Sequence, residues 1–142
     1  MRLLLDTNIV VSGFLWGDPP RALLDQATLL PRSTLALYTS PFLIQELENT
    51  LSEPKLAKDL LRQRTSVGVL MMRYLAIASV VTPSSVPRIV PNDPDDDHVI
   101  AAALKAQVDF IVTGDKNHLL SLPHIDGINI ITARQAVERL IE

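Results

Sequence analysis

Four acidic residues, Asp6, Glu46, Asp97 and Asp115, occupy positions from which a sheet-based fold could bring carboxylates together. Asp6 directly follows the apolar run Leu3-Leu4-Leu5, and Asp115 follows Phe110-Ile111-Val112-Thr113 after one glycine. Glu46 lies about two turns into a helical pattern that opens at Ser40-Pro41. Asp97 stands at the start of the helical pattern that leads into the run at 110–113. In an open parallel sheet, the functional crevice lies outside the carboxyl ends of the strands. Carboxylates that converge there repel one another unless a cation neutralises them. Oxygen-only ligands suit Mg²⁺ or Mn²⁺. Such an ion binds phosphate oxygens, lowers the pKa of an attacking water and stabilises the leaving oxygen. These residue types therefore point to metal-dependent hydrolysis of a phosphodiester or a related substrate.

The elements that must position these acids alternate along the chain. Residues 3–5, 35–39, 79–81, 110–113 and 128–131 read as short strands, and the first is apolar enough to be buried on both faces. Helical spacing is found over 21–30, over 41–51 up to Pro54, over 55–78 and over 98–107, with a turn or two at 116–122. Thr132-Ala133-Arg134-Gln135 is a capping box opening a final helix. Residues 82–95 hold Pro83, Pro87, Pro91 and Pro94 and read as a loop. Strands alternating with helices predict an α/β fold, a three-layer α/β/α sandwich around a mainly parallel sheet. Helix geometry sets Glu46 beside Phe42, Leu43 and Thr50, on the border of the buried face.

Composition narrows the function classes. The 142 residues predict one domain spanning 1–142, and 47% hydrophobic residues supply a core without staples. The absence of cysteine excludes disulfides, thiolate zinc sites and thiol nucleophiles. The opening Met1-Arg2-Leu3-Leu4-Leu5-Asp6 is not patterned as a signal peptide, and 70–81 is too short to span a bilayer, so a soluble cytoplasmic protein with no membrane partner is expected. Neither G-x-x-x-x-G-K-[ST] nor G-x-G-x-x-G nor G-x-S-x-G occurs. Asp93, Asp95 and Asp97 imitate the start of a calcium loop, but His98 stands where that loop needs glycine and Leu104 where it needs glutamate. His98 and His118 lack the paired spacing of a histidine metal site. The net charge is −3, which speaks against a protein that holds nucleic acid by phosphate neutralisation alone. Of the 16 acids, however, four belong to the proposed cluster, and the other 12 face 13 bases. The deficit thus sits at the metal site, and substrate binding should depend on metal as much as on Lys and Arg.

Four segments together resemble the PIN-domain family, and within it the prokaryotic branch of toxins from toxin–antitoxin pairs. They are Leu3-Leu4-Leu5-Asp6-Thr7-Asn8, Ser40-Pro41-Phe42-Leu43-Ile44-Gln45-Glu46-Leu47, Asp95-Asp96-Asp97-His98-Val99-Ile100-Ala101-Ala102-Ala103 and Ile111-Val112-Thr113-Gly114-Asp115. The resemblance runs from residue 1 to about residue 135, with the segments in the family's order. It implies a Mg²⁺- or Mn²⁺-dependent endoribonuclease in which Asp6, Glu46, Asp97 and Asp115 hold the metal. Thr7, Asn8 and Thr113 would support the site, with Asp96 as a supporting or alternative ligand. It also implies an RNA substrate, a possible cognate antitoxin and a homodimer. The basic stretch with Lys55, Lys58, Arg62 and Arg64 is the candidate for holding the RNA backbone, although Asp59 interrupts it. Two alternatives stand beside this. A haloacid-dehalogenase-like phosphatase would use Asp6 as covalent nucleophile, but Asn8 stands where that chemistry wants a second acid. A non-catalytic RNA- or protein-binding module would share the fold without needing the acids.

Overall fold

The structure is a computed structural model that describes residues 1–86, 94–114, 124–125 and 127–141. Its elements are β1 (Arg2–Leu5), α1 (Thr7–Leu15), α2 (Pro20–Leu29), β2 (Ala36–Thr39), α3 (Pro41–Leu51), a 3₁₀ turn (Pro54–Leu56), α4 (Ala57–Arg62), α5 (Val67–Ile77), β3 (Ala78–Val80), α6 (Pro94–Ala106), β4 (Phe110–Val112), β5 (His124–Ile125), β6 (Ile128–Ile131) and α7 (Ala133–Leu140). The strand order is β3-β2-β1-β4-β6-β5, parallel throughout except for β5, which runs antiparallel to β6. The α/β sandwich with a mainly parallel sheet is therefore as expected.

The register explains the layering. Leu3 lies opposite Leu37 and Phe110, and Leu5 opposite Val112; these side chains share one apolar cluster with α1, α2, α5 and α7. Leu4 lies opposite Tyr38 and Ile111, and packs on the other face against Val99, Ile100 and Ala103 of α6. Alternate residues of a strand point to opposite faces, so three consecutive leucines can serve two helical layers. α3 bridges the two, with Leu47 and Leu51 in the first cluster and Leu43 in the second. None of the described helices is long and apolar enough to cross a membrane.

Four elements depart from expectation. α1 has the sequence TNIVVSGFL, whose β-branched residues and glycine are weak helix formers. It forms because Asp6 caps it and because Ile9, Val10, Val11, Phe14 and Leu15 are buried. The single helical pattern over 55–78 is broken after α4. Arg64 takes a left-handed φ of 53°, while Thr65 N–H bonds Leu60 O at 3.1 Å and Arg64 N–H bonds Leu61 O at 3.0 Å. This is a Schellman stop with arginine where glycine is usual, so no glycine announced it. The helix expected from residue 98 begins at Pro94. It ends in the same way, with Gln107 at φ 53°. Strand β5 is only two residues long and had no periodicity to read. The helical turn expected at 116–122 lies outside the described residues.

Gly13 is where α1 meets α2. A Cβ there would sit 2.6 Å from Leu24 Cδ1 and 3.1 Å from the Pro20 backbone. Leucine can swing aside but backbone cannot, so Gly13→Ala should force the helices apart and destabilise the protein by about 1–3 kcal/mol. Urea denaturation would measure it; an unchanged midpoint would show that α2 shifts freely.

Candidate metal-binding site

Asp6, Ser40 and Thr113 follow β1, β2 and β4 respectively, so all three lie at the same carboxyl edge of the parallel sheet. From β1 the chain builds outward to β2 and β3, then crosses to β4 on the other side. The edge between β1 and β4 is thus the topological switch point, where such sheets open a crevice.

Asp6 is held from two sides. Its Oδ1 accepts the Thr7 backbone N–H at 2.8 Å, as the N-cap of α1. Its Oδ2 accepts the Thr113 hydroxyl at 2.9 Å, and its own N–H bonds Val112 O at 2.9 Å. Asp6 is 7% exposed and Thr113 fully buried. The Thr7 hydroxyl donates to Glu46 Oε1, which joins the start of α1 to the middle of α3. Glu46 is half-buried, as its place on the helix border predicts. It is carried there because Ser40 caps α3, accepting the Leu43 N–H at 3.3 Å, and because Leu43, Leu47 and Leu51 bury the helix along one side.

Asp96 and Asp97 lie in the first turn of α6, 6% and 1% exposed. α6 packs on β1, β2, β4 and α3 through the apolar cluster of Leu4, Leu43, Ile100 and Ile111. Asn8, by contrast, is exposed. Asp115 and His118 lie outside the described residues. Among the described residues, no three acids or histidines are gathered closely enough to form a metal-binding group. Hydrogen bonds join Thr113, Asp6, Thr7 and Glu46, while Asp97 lies on another element, α6. The candidate donors are carboxylate and hydroxyl oxygens, the kind that Mg²⁺ and Mn²⁺ prefer.

His98 is half-buried near the start of α6. Its ring stacks on Phe42 of α3, with centroids 3.6 Å apart and 5° between planes. The sequence reading missed this pair. The available signal was positional: Phe42 is one helical turn before Glu46, and His98 is next to Asp97. The basic stretch is less available than its composition suggests. Lys55 pairs with Glu53 at 3.1 Å and Arg62 with Asp59 at 3.2 Å, whereas Lys58 and Arg64 are exposed on α4 and just beyond it. Asp59 also accepts the Trp16 indole N–H at 3.2 Å. Such exposed ion pairs contribute little to stability but reduce the field a phosphate would meet.

No protein of curated function matches the chain. A solved crystal structure of VapBC2 from Rickettsia felis, bound to a DNA fragment from its promoter, is similar in fold, with a TM-score of 0.61 at 15% identity over 93% of this chain and 98% of that one. The PIN-domain family model matches residues 2–117, from the first strand through Thr113 and Asp115. With most of its length covered by that match, the chain belongs to the PIN-domain family.

Proposed function

We propose that this protein is a Mg²⁺- or Mn²⁺-dependent endoribonuclease. The observation that carries the reading is the hydrogen-bonded series Thr113–Asp6–Thr7–Glu46 at the switch point of the sheet. Two carboxylates from separate elements are oriented there by threonine hydroxyls. PIN domains are generally nucleases that use divalent ions, which supports the same conclusion.

In this reading Asp6, Glu46, Asp97 and Asp115 hold the ion. When bound, it supplies charge neutralisation at the phosphate and a more acidic water. The chain's own work is orientation. Thr113 and the Thr7 N–H fix both oxygens of Asp6, and the Thr7 hydroxyl aims Glu46. Groups of this kind typically change metal affinity or activity by 10–100-fold when removed. Asp96, buried beside Asp97, serves as a supporting acid, and the exposed Asn8 faces solvent at the start of α1. The exposed Lys58 and Arg64 are the bases of the α4 region that would meet RNA phosphates, with Lys55 and Arg62 partly neutralised by their pairs.

The fold shared with VapBC2, an assembly bound to promoter DNA, favours a toxin held by a cognate antitoxin, and we extend the reading to that pairing and to a homodimer. The metal-dependent ribonuclease activity is tested with purified protein and a panel of RNAs. EDTA should abolish cleavage, and Mn²⁺ or Mg²⁺ should restore it. Cleavage that persists in EDTA would remove the metal from the reaction and sink the proposal.

A further inference from the structure

Phe42 is a surface aromatic residue of α3. It is 37% exposed, although the same helix buries Leu43, Leu47 and Leu51 almost completely. Its ring lies parallel to His98, so the pair forms a flat aromatic step on the surface where α3 meets α6. Phe42 borders two shallow clefts. One, of about 220 Å³, also contains Glu46, Gln45 and Asn49. The other contains His98, Thr82, Pro83 and Val86. Within one helical turn, therefore, Phe42 links an exposed π-surface to a proposed metal-binding carboxylate, and His98 is adjacent in sequence to another, Asp97.

We propose that the Phe42–His98 step binds one unstacked base of a single-stranded RNA, setting the phosphate next to that base against the acids. This rests on the ribonuclease reading above and goes beyond it by naming the aromatic pair that positions the strand. Three observations converge. Aromatic side chains that hold nucleic acid are flat and partly exposed, as Phe42 is. The bases of a duplex are stacked on each other and offer no face, so only a single strand, a loop or a bulge can use the step. The chain has a modest supply of bases, and two of the candidates for phosphate contact are in ion pairs, so stacking provides an attraction that charge does not. The amides of Gln45 and Asn49, hydrogen-bonded to one another at 2.9 Å, line the Glu46 cleft and present donors and acceptors to the edge of a base.

The test uses the full-length protein with Mn²⁺ and a short single-stranded RNA that it cleaves. Phe42→Leu keeps an apolar side chain and removes the π-face; KM should rise roughly tenfold with kcat nearly unchanged, because base–aromatic stacking contributes to binding of the strand. Phe42→Trp should restore the wild-type KM. An RNA lacking the base beside the cleaved phosphate should lose about the same factor with wild type and nothing more with Phe42→Leu, since both changes remove one contact. Thermal melting of each variant controls for folding. A wild-type KM in Phe42→Leu, alongside normal cleavage by the unaltered protein, overturns the stacking role and leaves the ribonuclease reading standing. An unaltered protein that cleaves no RNA at all overturns both.

Discussion

Asp6→Asn should lower kcat/KM for Mn²⁺-dependent RNA cleavage by about 10²-fold or more while leaving the fold intact. Removing a group that only orients a ligand already costs 10–100-fold, so removing the charge of the ligand itself must cost at least as much. The structure explains why the fold should tolerate it. Asparagine is as good an N-cap as aspartate, and its Oδ1 can accept the Thr7 N–H in the same way. The Thr113 hydroxyl now donates to Asp6 Oδ2; facing an amide nitrogen, it can rotate and accept instead. Loss of one negative charge at a buried position also lowers the cost of desolvation. Stability should stay within about 1 kcal/mol of the parent protein. Asp6→Ala is the informative contrast. It loses the cap, worth about 1 kcal/mol, and leaves the buried Thr113 hydroxyl facing an apolar group. If Asp6→Asn cuts RNA at the parental rate, Asp6 is a helix cap only.

What could be read from the chain depended on whether the cause was local. Asp6 and Glu46 were legible because strand ends and helix faces follow from short-range pattern. Leu3-Leu4-Leu5 must end somewhere, and the spacing of Leu43, Leu47 and Leu51 dictates which side of α3 Glu46 borders. The capping box at Thr132 and Gln135 was equally local, and both of its hydrogen bonds form, at 2.9 and 3.2 Å. The missed features depend on distant groups. α1 is a helix because the sheet and α2 bury it, against the preference of its own β-branched residues. The breaks at Arg64 and Gln107 use left-handed residues that carry no glycine signature. The Phe42–His98 stack joins residues 56 positions apart, and no periodicity can report that. The Asp6–Thr113 hydrogen bond belongs to the same class: strand order, which puts β4 beside β1, decides it, and the alternation of strands and helices predicts a parallel sheet without fixing that order.

Metal should also be visible in stability, independently of any cleavage. Asp6 and Asp97 are buried at 7% and 1% exposure, and burying ionised carboxylates costs free energy that a divalent cation offsets. An ion that binds the folded chain and not the unfolded one stabilises it by about 2.7 kcal/mol at 100 times its Kd. For a chain of this length that corresponds to a rise in Tm of about 10 °C. Mn²⁺ titrated into metal-free protein should therefore raise Tm in a saturable manner, and Asp97→Asn should lose most of the rise. The comparison is between two shifts, each measured with and without the ion, so any change that the substitution makes to intrinsic stability cancels. That matters because Asp97 sits in the first turn of α6, where a negative charge also favours the helix dipole. A purely structural Asp97 would lower Tm equally in both conditions and leave the Mn²⁺ shift intact. A ligand would do the reverse, and an Asp97→Asn protein with the full parental shift would remove Asp97 from the metal site and return it to the role of a helix-start acid.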